Sequence, residues 1–236
     1  MKRIFQTLAQ KWPEYLLEIL VISIGILVAF GLNSWNEERK ENAMENQFLQ
    51  NLKAEVLANQ KSLAQNINWH KGIYDHMVQF MELTGPEAVG IDQVTFDSLV
   101  YSTIRLPSYN PVKGNISSNE LDDLEAAQLK ASIAKWIIKM EDYQRSVKII
   151  YDQNFEFIYP ELSKSYQLKN MKGAENSFAL ESQFIGNQME ILRNLTFENH
   201  LTMRAINARI IYTRSLEIHD LQVKIIEQID NRLEKL

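Results

Sequence analysis

The sequence predicts an all-α chain: one N-terminal transmembrane helix continuing into an antiparallel bundle of long helices. Three observations predict it. Between Trp12 and Lys40 an uncharged apolar run from Ile19 to Leu32 sits between aromatic and charged flanks. Beyond it, apolar residues recur at spacings of three, four and seven. No segment carries the two-residue alternation of a half-buried strand.

The span comes first. From Tyr15 to Leu32 there are twelve Leu, Ile, Val or Phe residues. At roughly 0.3 to 0.6 kcal/mol each they favour insertion by about 4 to 7 kcal/mol. The only charge among them, Glu18, lies near the start of the run, where it reaches headgroup water and the positive end of the helix dipole. Trp12 and Tyr15 mark one interface and Trp35 the other, and the distance from Trp12 to Trp35 is about 34 Å of helix, close to a bilayer's hydrocarbon thickness with its edges. Ala29-Phe30-Gly31 is passable as a signal-peptide cleavage site. The acids Glu14 and Glu18 and the helix-forming continuation from Trp35 to Lys40 favour a retained anchor instead. The expected organisation is therefore a short cytoplasmic segment over 1–13, a transmembrane helix over 14–35 and an extramembrane helical domain over 36–236. Lys2, Arg3 and Lys11 before the span, against Arg39 and Lys40 after it, favour a cytoplasmic amino terminus.

Glu18, Gly25, Ala29 and Asn33 recur at steps of seven, four and four and so share one side of the span. Small residues let helices approach closely and polar groups in lipid seek partners, which makes the stripe a candidate helix-helix interface, with a second copy or another membrane protein as its partner. Its members are equally what an ordinary span with polar ends contains.

The segments Tyr15-Leu16-Leu17-Glu18-Ile19, Gly25-Ile26-Leu27-Val28-Ala29-Phe30, Asn33 and Trp35-Asn36-Glu37 resemble the amino-terminal signature of a family of bacterial single-span proteins, a domain of unknown function. The resemblance covers about thirty residues. It implies a bacterial integral membrane protein, and it supplies no activity, substrate or catalytic residue. With the bias of basic residues toward the amino terminus, the expected location is the bacterial inner membrane with the carboxyl-terminal domain periplasmic.

The remaining chain is long enough for one domain with a substantial core. Without cysteine there are no disulfides, zinc-thiolate sites, iron-sulfur clusters or thiol nucleophiles. After Trp12, 22 basic residues face 30 acidic ones, a net charge of −8 that argues against nucleic acid as a partner and against lying flat on an anionic leaflet. The lipid bilayer itself is the first partner expected.

After the span the helix meets no stop signal until Thr84-Gly85-Pro86, and continuity through Asn33 to Lys40 is expected because neither Pro nor Gly interrupts it. Its seam reads Phe48, Leu52, Val56, Leu63, Ile67, Tyr74, Met77 and Met81, with Asn59, Asn66 and Gly72 weakening it. A short helix follows from Thr95 to Leu106, ended by Pro107. The Pro-, Asn- and Gly-rich stretch 107–115 is then the longest irregular one, and it puts Tyr109 and Asn110 forward as candidate ligand or partner residues.

The next helix opens with a capping box, Ser117 to Glu120, loads Asp122, Asp123 and Glu125 into its first turns, and runs to about Ile158, before Pro160. Its apolar face is Leu121, Leu124, Leu129, Ile133, Trp136, Ile137, Met140, Tyr143 and Val147. Tyr151, Phe155, Phe157, Tyr159 and Tyr166 crowd its end. Helical spacing favours core packing for this cluster, with a ligand cavity lined by Tyr151, Phe155 and Tyr159 as the alternative. A broken region over 161–184, a short helix over 188–195 and a final helix over 197–233 complete the bundle. The final seam is Phe197, Leu201, Ala205, Ala208, Tyr212, Leu216, Val223, Ile226, Ile229 and Leu233.

Neither a His-x-x-x-His pair nor the Glu-x-x-His pairing of bundle di-iron sites is present, since Glu198 and Glu217 each precede a histidine by two. No phosphate-cradling glycine loop, nucleophile elbow or dinucleotide fingerprint occurs either. The reading is a non-catalytic, cofactor-free chain: a membrane-anchored helical interaction or accessory protein, or alternatively a ligand-binding sensor-type domain acting through a separate partner. A pocket lined by Tyr151, Phe155 and Tyr159 with convergent polar groups favours the second.

Overall fold

The apolar run and the seam behind it lie on one continuous helix. In the computed structural model, which describes residues 2–111, 121, 124, 126–171 and 182–236 (and, of the first fifteen side chains, only that of Trp12), α1 spans Lys2–Glu82. The expected continuity from Asn33 to Lys40 holds. The capping box Ser117 to Glu120, with Asp122, Asp123, Glu125 and Gly173, falls outside the described residues.

The chain divides into two units, residues 1–51 with 233–236 and residues 52–232. In the first, every side chain from Leu16 to Leu32 is exposed. Among the described residues, α1 is the one helix long and apolar enough to cross a membrane. A helix apolar on all sides belongs in a protein core or in lipid, and among the described residues none covers this stretch, which is compatible with a single-pass membrane protein.

The second unit is a bundle without strands among its described residues: the rest of α1, α2 (Gln93–Ile104), α3 (Ala127–Gln153), α4 (Tyr159–Ser165), α5 (Gln188–Leu192) and α6 (Leu195–Leu233). α1 stops where Gly85 turns the chain at φ 144°, a conformation that disfavours any side chain, and the Gly85 N–H is taken by the Leu192 carbonyl at 2.9 Å. Asp92 caps α2 by accepting the Thr95 N–H at 2.9 Å, and Asn194 caps α6 by accepting the N–H groups of Thr196 and Phe197. Pairings along the helices give their directions. Lys53 meets Asp230 and His70 meets Ser215, so α1 and α6 are antiparallel; Lys139 meets Glu217 and Gln153 meets Asn207, so α3 and α6 are antiparallel too. α2 folds back along α1, with His76 beside Ser102 and Phe80 beside Phe96.

The seams differ from the apolar pattern in an instructive way. On α1 the buried line is Leu52, Val56, Asn59, Leu63, His70, Ile73, Met77 and Phe80, on a heptad frame that Asn66 half fills. Phe48, Ile67, Tyr74 and Met81, expected in it, lie alongside and are half-buried. On α6 the line is Leu201, Arg204, Ala208, Ile211, Ser215, Ile218, Gln222, Ile225 and Ile229, while Leu216 and Val223 are exposed and Tyr212, Ile226 and Leu233 half-buried. In both helices polar side chains hold seam positions, and a pattern read from apolar residues steps sideways to avoid them. On α3, Leu129, Ile133, Trp136, Met140 and Tyr143 are buried as expected, with Ile137 and Val147 at the margin.

The end of α3 also corrects the sequence reading. Pro160 does not end the helix. A π-helical turn, Asn154–Ile158, follows Gln153, the Tyr159 N–H bonds to the Asn154 carbonyl five residues back, and the helix resumes as α4 to Ser165. The wider turn draws aside the carbonyl that a proline ring would strike in α-geometry. Ile158 and Leu162 reach the main core, where Phe80, Phe96, Phe197 and Tyr166 meet edge to face at 5.5 to 5.9 Å.

Candidate functional site

Of the aromatic cluster at the end of α3, Tyr166 is buried in the core, its hydroxyl donating to Asp97 at 2.8 Å, and Tyr159 is partly buried against it. Tyr151, Phe155 and Phe157 are 47, 54 and 45 % exposed, so the core expectation fails for them. Helical spacing is the same for an inner and an outer face, and the seam of α3 continues instead through Ile150, Gln153 and Asn154.

Tyr151, Phe155 and Tyr159 form a ladder of rings with centroids 4.5 and 5.3 Å apart. They make one wall of a cavity of about 620 Å³ that lies wholly within the second unit. Gln65, Asn66 and Trp69 of α1 line it as well. Tyr101 and Ile104 of α2 and the extended segment Arg105 to Ser108 supply the rest of the lining. The size falls in the ordinary range for small-molecule sites, about 300 to 1,000 Å³.

Its polar groups are held in place. The Arg105 guanidinium lies over the Trp69 ring at 3.2 Å from the centroid and 4.8 Å from that of Tyr101. Ser108 donates to the Asn66 side-chain oxygen, and the Asn66 amide donates to the Ser62 carbonyl at 2.8 Å. Asn154, placed by the π turn, donates to the Ile104 carbonyl at 2.7 Å, which leaves its buried Oδ1 without a donor. Burial raises the Tyr159 phenol pKa, keeping it a hydrogen-bond donor. None of the lining residues is acidic, although the chain as a whole is.

Arg204 holds the segment behind the groove. Fully buried on α6, its Nε donates to the Thr103 carbonyl at 2.9 Å and its Nη2 to the Arg105 carbonyl at 2.6 Å. The guanidinium thus caps the C-terminal end of α2, where carbonyls lack helical partners and the dipole is negative.

The other residues singled out from sequence fall elsewhere. Tyr109 is buried, its ring edge-on to Tyr143 at 5.5 Å, and Asn110 is exposed; neither lines the groove. Glu18, Gly25, Ala29 and Asn33 share one exposed side of α1, and the Asn33 amide donates to Glu37 at 3.0 Å. Trp69, Arg105 and Asn154 gave no sequence signal, and Asn66 was visible only as a flaw in the seam.

The histidines do not assemble a metal site. His70 is held between Ser215 at 2.8 Å and Tyr143 at 3.1 Å, His76 by Ser102 at 2.7 Å, and His200 stacks on Phe157. No group of three or more metal-ligating side chains occurs among the described residues. Compared with known proteins, the chain matches no family model, no curated protein and no solved structure.

Proposed function

We propose that the chain is a membrane-anchored, non-catalytic ligand-binding domain of sensor type, carried by the groove that Tyr151, Phe155 and Tyr159 line with Trp69. A ladder of partly exposed rings and an arginine-covered indole lining one cavity together with amide and hydroxyl groups suit a small molecule with a flat apolar face. On this reading the chain sits in a bacterial inner membrane, with residues after Trp35 on the periplasmic side, and passes its signal through a separate membrane partner. That location rests on the basic residues before the span and on the amino-terminal resemblance. An accessory role through the stripe of Glu18, Gly25, Ala29 and Asn33 draws less support, because Asn33 already spends its amide on Glu37.

The groove is tested with the full chain in lipid nanodiscs and 2-naphthol as a ligand-observed NMR probe. Saturation transfer to the naphthol ring is expected, and Tyr151→Ala with Phe155→Ala should weaken binding about tenfold, since each stacked ring contributes about 0.5 to 1.5 kcal/mol. Both side chains are exposed, so the fold should survive. Undiminished transfer in the double variant would rule out this groove as the site.

Topology is read from single cysteines, which are the only thiols in a chain that has none. On intact cells a membrane-impermeant maleimide should label Asn110→Cys, at an exposed position, and spare Lys11→Cys. The reverse pattern would invert the orientation.

A further inference from the structure

The groove carries one sign of charge in a chain that carries mostly the other. Among the described residues that line the cavity none is acidic and Arg105 is the one ionised side chain, although the whole chain has a net charge of −5. Asp152 and Glu156, which neighbour the ring ladder in sequence, stay out of the lining, and Asp152 pairs with Lys148 at 2.6 Å.

Arg105 is held at both ends. Its carbonyl accepts from Arg204 Nη2 at 2.6 Å, and its guanidinium lies over two rings of the lining, 3.2 Å from the Trp69 centroid and 4.8 Å from that of Tyr101. Stacking engages the face of a guanidinium, whereas its N–H groups point outward in its plane, so the rings fix the cation without using its hydrogen-bonding capacity. The side chain is half-buried, and a partly desolvated cation attracts an anion more strongly than one in bulk water. The end of α2 works the other way, since Arg105 follows its last turn and the carbonyl end of a helix dipole is negative. Arg204 answers it by donating to the carbonyls of Thr103 and Arg105, so the helix end opposes an anion beside Arg105 far less.

We infer that the groove selects flat aromatic ligands that bear a carboxylate, with the ring against Tyr151, Phe155 and Tyr159 and the carboxylate on the in-plane N–H groups of Arg105. This selectivity rests on the groove being the ligand site proposed above, and it adds the charge of the ligand and the residue that reads it. A carboxylate meets the guanidinium fork with two parallel hydrogen bonds. A neutral amide of the same shape offers only one acceptor, and a cationic ligand meets a like charge.

The test compares 2-naphthoate, 2-naphthamide and 2-naphthylmethylammonium with 2-naphthol on the full chain in zwitterionic nanodiscs, by ligand-observed NMR with the signal of empty nanodiscs subtracted. Naphthoate is expected to bind about tenfold more tightly than naphthamide, the margin of a charge-assisted over a neutral hydrogen-bonded pair, and the ammonium most weakly. Arg105→Gln should bring naphthoate down to the affinity of naphthamide and leave naphthamide and naphthol little changed. Arg105→Lys, which keeps the charge and loses the fork, should fall between. Binding of naphthol with naphthoate no tighter than naphthamide would overturn the carboxylate selectivity and leave the groove as a site for neutral rings. An advantage of naphthoate that survives Arg105→Gln would overturn it too. Binding of none of the four probes would remove the groove as the ligand site, and the selectivity with it. Circular dichroism checks the fold of the variants, and where Arg105→Gln is unfolded the native ranking and Arg105→Lys decide.

Discussion

Arg204→Ala is expected to destabilise the helical domain by more than about 4 kcal/mol. Truncating a large, fully buried side chain leaves a cavity, for which core truncations cost about 2 to 5 kcal/mol, and the carbonyls of Thr103 and Arg105 lose their donors, at about 1 to 3 kcal/mol for each buried group left unsatisfied. Removing an only partly compensated charge returns some of this, so Arg204→Met, which refills the volume without restoring the hydrogen bonds, should fall between the native chain and the alanine variant. Denaturant unfolding gives the ranking, and hydrogen exchange gives the place: amides from Thr103 to Ser108 should lose protection first. A methionine variant as stable as the native chain, with unchanged protection there, would show that the guanidinium does not hold this segment.

His70 should make the domain acid-labile in a defined window. Ser215 donates its hydroxyl to the Ile211 carbonyl at 2.8 Å, so it can only accept from His70 Nδ1–H, and Nε2 then accepts from the Tyr143 hydroxyl. The ring is thereby fixed as one neutral tautomer, and burial lowers its pKa from 6.5 to about 4. Above pH 6.5 both folded and unfolded chains hold it neutral and it adds no pH dependence. As pH falls from about 6.5 to 4 the unfolded chain takes up a proton that the fold refuses, so stability drops by about 1.4 kcal/mol per pH unit, about 3 kcal/mol in all, and levels off below 4. His70→Gln should lack this loss. The difference between native and variant stability across pH 4 to 7 isolates it from the carboxylates, and a constant difference would show that His70 is protonated within the fold.

The order of helices was legible because local signals fixed it. Gly85 with Pro86 stops α1, Pro107 follows α2, and the apolar period is helical throughout. The seam of α6 was legible as far as Ala208 and again at Ile229. Between them Ser215 and Gln222 occupy inward positions, and Leu216 and Val223 offered a better apolar match on the wrong face. The same preference hid His70 on α1 and Arg204 on α6, while Asn59 showed only as a weak point of the α1 seam. Their inward placement depends on partners from distant helices, which no local pattern contains. The groove was half legible. Tyr151, Phe155 and Tyr159 stand four apart on one helix, but Trp69, Arg105 and Ser108 reach it because the segment after α2 runs back along α1.

The π turn at Asn154–Ile158 has a consequence for how this chain can change length. It is equivalent to a one-residue insertion that the helix has absorbed, so deleting a residue there would wind everything downstream back by about 100° and 1.5 Å. Ile158 and Leu162 would then leave the core beside Phe80, Tyr159 would leave the ring ladder, and Pro160 would drive its ring into an α-helical turn. The groove and the core are therefore locked to one phase of one helix. The exposed rings can exchange for one another by substitution, but the number of residues between Ile150 and Leu162 is fixed by both faces at once.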